Sequence, residues 1–165
     1  MNRRHLLAGA AALPLAAIRP REGRAQSGIS DGVVKIGVLD DMSGVFADQQ
    51  GMGDVVAARM AAEDFGGKVG NMPIEVVFGD LQNRPDVGLS IARRWYDQER
   101  VDAIFGLGNS AVALAVQNLA REKQKIDVVV AAGTTDLTGK DCSPFGVHWT
   151  YDNCALARGT VGAVM

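Results

Sequence analysis

Three times between Val33 and Val130, a short apolar run gives way to a longer segment whose apolar residues recur at helical spacing. That alternation constrains the fold more than any other feature. Val33-Val34-Lys35-Ile36-Gly37-Val38-Leu39 is nearly continuous in apolar residues, as a strand covered on both faces must be. A turn-rich loop runs from Asp40 to Gly53. Next comes a helix from Asp54 to Phe65, with Val55, Ala58, Ala61, Ala62 and Phe65 on one stripe. Gly66-Gly67 ends it, because glycine accepts the left-handed cap conformation. Pro73 to Phe78 is the second strand, and Asp80 to Arg84 a polar loop. Pro85 suits the first position of the second helix, where its missing N–H costs nothing. Val87, Ile91 and Trp95 recur every four residues along that helix, which runs to about Glu99. Asp102 to Phe105 is a third strand, Ser110 to Lys123 a third helix and Ile126 to Val130 a fourth strand. Val147 to Thr150 reads as a last strand, and Asp152 or Asn153 as the cap of a helix from Cys154 onward.

This is the pattern of an α/β fold: a parallel sheet flanked by helices on both faces. In such sheets ligands sit outside the carboxyl ends of the strands. Those ends are Asp40 to Gly51, Gly79 to Arg84, Gly106 to Ser110 and Ala131 to Thr135. Phe65, Ile91 and Trp95 are expected in the core, with Tyr96, next along the helix, at the surface. Asp40, Asp41 and Asp80 are expected to be solvated or to cap loops. His148, between Val147 and Trp149, takes a structural role.

The first residues do not fit the alternation. Arg3-Arg4 precede an apolar run from Leu6 to Ile18 that is too short to span a bilayer as a helix. A basic start, a short apolar middle and the small-x-small Gly23-Arg24-Ala25 describe an export signal, with cleavage after Ala25. The arginine pair resembles a twin-arginine signal; a general secretory signal and an amphipathic N-terminal helix are the other readings. With residues 1–25 as the signal, the mature chain has about 140 residues, the size of one domain. Net charge is −2, and five of the arginines lie before residue 26. The mature chain carries no basic stripe, which argues against nucleic acid as a partner. The two cysteines, Cys142 and Cys154, are free to pair in an oxidising compartment or to stay apart. The histidines are His5 and His148, and neither stands at metal-ligand spacing, so neither a metal nor a cofactor is expected.

The stretch Phe105-Gly106-Leu107-Gly108-Asn109-Ser110-Ala111 carries the chemistry. With Ala111 in third place it has the spacing of a dinucleotide loop. It comes after the third strand rather than the first, however, and Asp127 stands at the start of the next strand rather than at its carboxyl end. The simpler reading is a helix N-terminus whose free N–H groups favour a negative group. Gly106 and Gly108 then let a ligand approach, and Asn109 and Ser110 supply side-chain donors. One strand over, Gly133-Thr134-Thr135 offers the same chemistry. Two uncharged, donor-rich loops side by side make a cradle for a small carboxylate or amide. The plainer alternative is that Asn109 or Ser110 caps its helix and Thr134 a turn. Catalysis is poorly supplied, since no nucleophile has a base in evident reach, and the chain is read as no enzyme.

Four segments, VVKIGVLDDMSGVFAD, GMGDVVAARMAAEDFGG, VDAIFGLGNSAVALAV and GTTDLTGKDCSP, together resemble the periplasmic substrate-binding proteins of ABC transporters. The likeness is to the branched-chain amino acid (leucine/isoleucine/valine) type, within the type I periplasmic-binding fold. The resemblance implies two α/β lobes that close on a ligand without catalysis, in the periplasm, and hand it to a membrane permease. On that frame residues 26–150 are an incomplete first lobe and residues 151–165 the hinge and the start of a second lobe, most of which is missing; the chain is expected to be a fragment. By position, Ser110 matches the serine that grips the ligand carboxylate, with Gly108 and Asn109 beside it. Gly133 and Thr134 match the partners in the neighbouring loop. Gln49-Gln50 stands where amino acid binders often place an aromatic residue, which points Gln50 at the ligand and away from a leucine-like one. Amides, urea and aromatic acids are the other ligands of such relatives. A ligand-sensing receptor domain of the same fold and, less well supported, a Rossmann-type nucleotide-binding enzyme are the alternatives.

Overall fold

The computed structural model describes residues 32–165. The expected export signal lies outside the described residues. The elements run in chain order β1 (Val34–Asp40), α1 (Met52–Asp64), β2 (Lys68–Val69), β3 (Met72–Asp80), α2 (Pro85–Asp97), β4 (Ala103–Gly106), α3 (Ser110–Lys123), β5 (Ile126–Val129), β6 (Gly146–His148) and α4 (Asn153–Val164). A short 3-10 turn at Thr135–Leu137 lies in the β5–β6 connection. One six-stranded sheet has the order β2-β3-β1-β4-β5-β6. All its pairings are parallel except β2 with β3. The expected parallel α/β architecture is therefore present. β2, a two-residue antiparallel edge, is not legible in Lys68-Val69. The last strand also starts earlier than expected, at Gly146.

β1 lies in the middle, with Val34–Asp40 in register with Ile74–Asp80 on β3 and Ile36–Leu39 with Ala103–Gly106 on β4. Side chains alternate across such strands. On one face Leu39, Ile104 and Val129 join the core with α2 and α3. Trp95 is its largest member and is fully buried. It fits because Gly37 and Gly79 have no side chain: a Cβ at Gly37 would stand 2.5 Å from the indole, and one at Gly79 3.0 Å. Tyr96 is also buried, contrary to the expectation that it faces solvent, and its hydroxyl donates to the Ile126 carbonyl at 3.0 Å. Ile91 packs against the same core.

The other face is covered differently. α1 buries only Val55 fully. Phe65, expected in the core, is 66% exposed. Beside α1 an apolar groove of about 760 Å³ runs over the sheet, lined by Ala58 and Ala62 of α1 and by Val38, Phe105, Val128 and Trp149. α4 buries none of its residues. Its cap is Asp152, whose Oδ1 accepts the Ala155 N–H at 2.7 Å. Cys142 and Cys154 are exposed and free. Among the described residues no helix is long and apolar enough to cross a membrane, and no cluster of candidate metal ligands is present.

The packed layer between the sheet and α3 also encloses a carboxyl group. Asp127 on β5 is fully buried, and both its carboxyl oxygens lack hydrogen-bond partners. Burial raises its pKa to about 7, against the opposing pull of its own backbone and of Arg121.

This packing has two measurable consequences. Gly37→Ala forces a methyl group into the Trp95 ring and lowers unfolding free energy by about 1–3 kcal/mol, measured by urea titration. Asp127 holds its proton in the native chain well above the 3.8 at which an ordinary aspartate releases it. Its contribution to stability is thus complete below about pH 4 and is lost as pH rises to about 7. Urea midpoints measured across that range fall with pH, and Asp127→Asn lessens the fall; an unchanged slope in the variant overturns the assignment.

Candidate functional site

Four loops meet at the carboxyl ends of β1, β3, β4 and β5, because parallel strands in register end on the same side. Aspartates tie the first two together. Asp80, the last residue of β3, accepts the Met42 N–H at 3.0 Å and the Gln82 N–H at 2.8 Å on one oxygen, and the Ser43 hydroxyl at 2.6 Å on the other. Partial burial works to raise its pKa, but the hydrogen bonds from Ser43, Gln82 and Met42 outweigh it and leave the group below its ordinary value. Asp41 folds the loop on itself, accepting the Gly44 N–H at 2.8 Å and the Phe46 N–H at 3.1 Å. Both residues cap loops, as expected. Asp40 is not solvated: it is fully buried beneath the β4–α3 turn, where one of its oxygens accepts a single loop N–H. Its place as the last residue of an apolar strand is the one sequence signal for that position.

The β4–α3 turn is tight. Gly106 has φ 101 and Leu107 φ 62, so two successive residues take the left-handed region. For leucine that conformation is unfavourable. It is held by complete burial of the side chain and by the Leu107 N–H donated to the Leu39 carbonyl at 2.9 Å. The two glycines do not open the backbone to a ligand in the way expected. A Cβ on Gly106 would collide with Asp40 Oδ2, and one on Gly108 with the Gln50 side-chain amide. The chain's own side chains fill both spaces. The Gly108 N–H is also taken, donating to Asp40 Oδ1 at 3.2 Å. This arrangement leaves no free backbone for a pyrophosphate at either glycine and argues against the nucleotide loop.

Gln50 and Gly108, singled out separately in the sequence, are thus in contact. Asn109 caps α3: its Oδ1 accepts from Ala111 at 2.9 Å and Val112 at 3.1 Å, and its amide donates to Asn83 at 2.5 Å. Ser110 is the first residue of α3 and is half-buried. In the next loop Thr134 caps the 3-10 turn, its hydroxyl accepting the Asp136 N–H at 3.3 Å. The Gly133 carbonyl accepts the Asn153 N–H at 2.8 Å, and the Asn153 side chain fills the space above Gly133. His148 Nε2 lies 2.7 Å from the Ala132 carbonyl and fastens β6 to this loop. Asn109 and Thr134 thus serve the plainer capping role. Phe46, within the first of the four family-like segments but not singled out there, is a partly exposed aromatic residue in the β1–α1 loop. Ser110, Gln50, Thr134 and Phe46 stand in the loops or helix start at this end of the sheet and offer uncharged donors and one ring.

Comparison with known proteins agrees with this fold. A family model described as periplasmic binding protein matches residues 33–165. Among solved structures, a periplasmic binding protein from Burkholderia mallei is 47% identical, with a TM-score of 0.78 over 81% of this chain and 36% of that one. A branched chain amino acid ABC transporter periplasmic ligand-binding protein from Burkholderia xenovorans is 42% identical, with a TM-score of 0.76 over 79% of this chain and 35% of that one. A solute binding protein of an ABC transporter from R. palustris, in complex with benzoate, is 26% identical, with a TM-score of 0.71 over 79% and 36%. No curated protein matches the chain. The chain spans about a third of the length of these solved relatives. A parallel sheet with its loops gathered at one end, a match across nearly all described residues and 47% identity to a solved member lead to one assignment: the chain belongs to the periplasmic binding protein family.

Proposed function

We propose that the chain forms one wall of the ligand cleft in an extracytoplasmic solute-binding component of an ABC importer. Its ligand is an amino acid or a related small carboxylate or amide, bound without catalysis. The observation that carries this reading is the N-terminus of α3 at Ser110, set beside the Gly133–Thr134 loop, both at the carboxyl edge of the sheet. The Ser110 and Thr134 hydroxyls, with the favourable end of the α3 dipole, replace water around a carboxylate without a buried countercharge. Family membership supports a periplasmic location and delivery to a membrane permease. The benzoate complex of the R. palustris relative widens the candidates to aromatic acids, and Phe46 suits a flat ligand.

Ser110 supplies the hydroxyl donor in this reading, with Gln50 and the Gly133–Thr134 loop at the rim. Gly108 and Asn109 shape the turn rather than touch the ligand. Residues 151–165 lead away from the first lobe as hinge and start of a second, a reading supported by α4, which buries none of its residues.

The test is calorimetric titration of the full-length gene product with leucine, benzoate and benzamide. At least one binds; binding of none overturns the reading. Ser110→Ala weakens that binding by about 1–3 kcal/mol by leaving a buried ligand acceptor unpaired. Asn109→Ala instead lowers unfolding free energy by about 0.5–2 kcal/mol through loss of the α3 cap. Unchanged affinity in Ser110→Ala removes that residue from the site.

A further inference from the structure

Asp40 is a buried acid for which the binding reading has no use. It is 0% exposed, and its Oδ2 receives no hydrogen bond. That oxygen lies against Gly106, so close that it occupies the space a Cβ would take. Oδ1 accepts the Gly108 N–H at 3.2 Å. One carboxyl group therefore touches the turn at both glycines, on either side of Leu107 with its left-handed backbone. We propose that Asp40 is a positioning residue for the β4–α3 turn: its carboxyl group, neutral in the packed arrangement, sets where Gly106–Ser110 runs, and its ionisation displaces that turn and the start of α3.

The surroundings support this. Asp54, in the first turn of α1, faces Asp40, and Asp41 is next to it in the chain. Asp80 stands across on β3, already committed to Ser43, Met42 and Gln82. β4 brings glycine at the point of contact. Burial first, then Asp54 and Asp41, push the Asp40 pKa up to about 8, while the Gly108 N–H works in the opposite direction. An ionised Asp40 has no cation to meet it among the groups that act on it. It is set against Asp54, which sits at the same helix start as Gln50, and Gln50 packs on Gly108. Repulsion there separates the β1–α1 loop from the β4–α3 turn. Asp54 and Gly106 both line the groove beside α1, which gives the proton a route to water.

The value of this for ligand binding rests on the cleft proposed above, but the response of the turn is measurable with no ligand, so the two can fail separately. Carbon-detected NMR of the ligand-free chain reads the Asp40 carboxyl carbon and the backbone of Gly106–Ser110 against pH. The expected result is one titration shared by Asp40, Gly108 and Ser110, with a midpoint near pH 8. In Asp40→Asn, which keeps the acceptor for Gly108 but cannot ionise, the backbone titration disappears. In Asp54→Asn the midpoint moves toward acid, which decides the matter if Asp40→Asn does not fold. A Gly106–Ser110 backbone that stays fixed while Asp40 titrates overturns the proposal. So does an Asp40 midpoint near that of an ordinary aspartate, or a backbone titration that persists in Asp40→Asn.

Discussion

The Trp95 indole against two glycines is the contact from which the rest of the molecule takes its spacing. Gly37 and Gly79 stand on adjacent strands, β1 and β3, and leave room for one ring. α2 therefore lies close to the sheet. α3 in turn lies close to α2, because Gly88 leaves space for Val112, whose methyl group would stand 2.6 Å from a Cβ at that position. Val112 belongs to the first turn of α3, so the distance from sheet to α2 to α3 fixes where that helix begins. Ser110 reaches the rim through this chain of contacts.

At the strand ends the organising groups are carboxylates. Asp80 and Asp41 satisfy backbone N–H groups that no ladder reaches, and so give a loop of small and polar residues a definite shape. Bonds of this kind to ionised acceptors are stronger than neutral ones. Asp40, one position from Asp41 and equally buried, meets one donor where Asp41 meets two. Alternation along the strand places it under the turn, where burial outweighs its single donor.

Five of the six strands and all four helices are legible because apolar runs, helical spacing and cap residues are local signals; the two-residue β2 is not. What escaped was relational. The stripe of alanines on α1 has the same spacing whether or not a neighbour covers it, so the sequence promised a packed face where Ala58 and Ala62 line a groove. Phe65 belongs to the same misleading stripe. Gly106 and Gly108 announced a close approach to the backbone. The approach is real, but Asp40 and Gln50 make it, and no local pattern names the partner. Tyr96 was misjudged because adjacent positions on a helix point apart, yet α2 lies in a corner between the sheet and α3 that buries both Trp95 and Tyr96. The capping role of Asn109 was one of two open readings, and only the bonds to Ala111 and Val112 decide it.

The uneven covering of the two sheet faces has a dynamic meaning. α2 and α3 share one core with β1, β4 and β5, so their amides can open only when much of the domain opens with them. α1 is anchored by Val55 alone among its residues, beside a face that water reaches. Its amides exchange through small local openings that cost far less than global unfolding. The chain thus has a slow half and a fast half divided by the plane of its own sheet. The fast half carries Asp54, and Gln50 stands just ahead of it, so Gln50 borders the half that opens locally while Ser110 belongs to the half that does not.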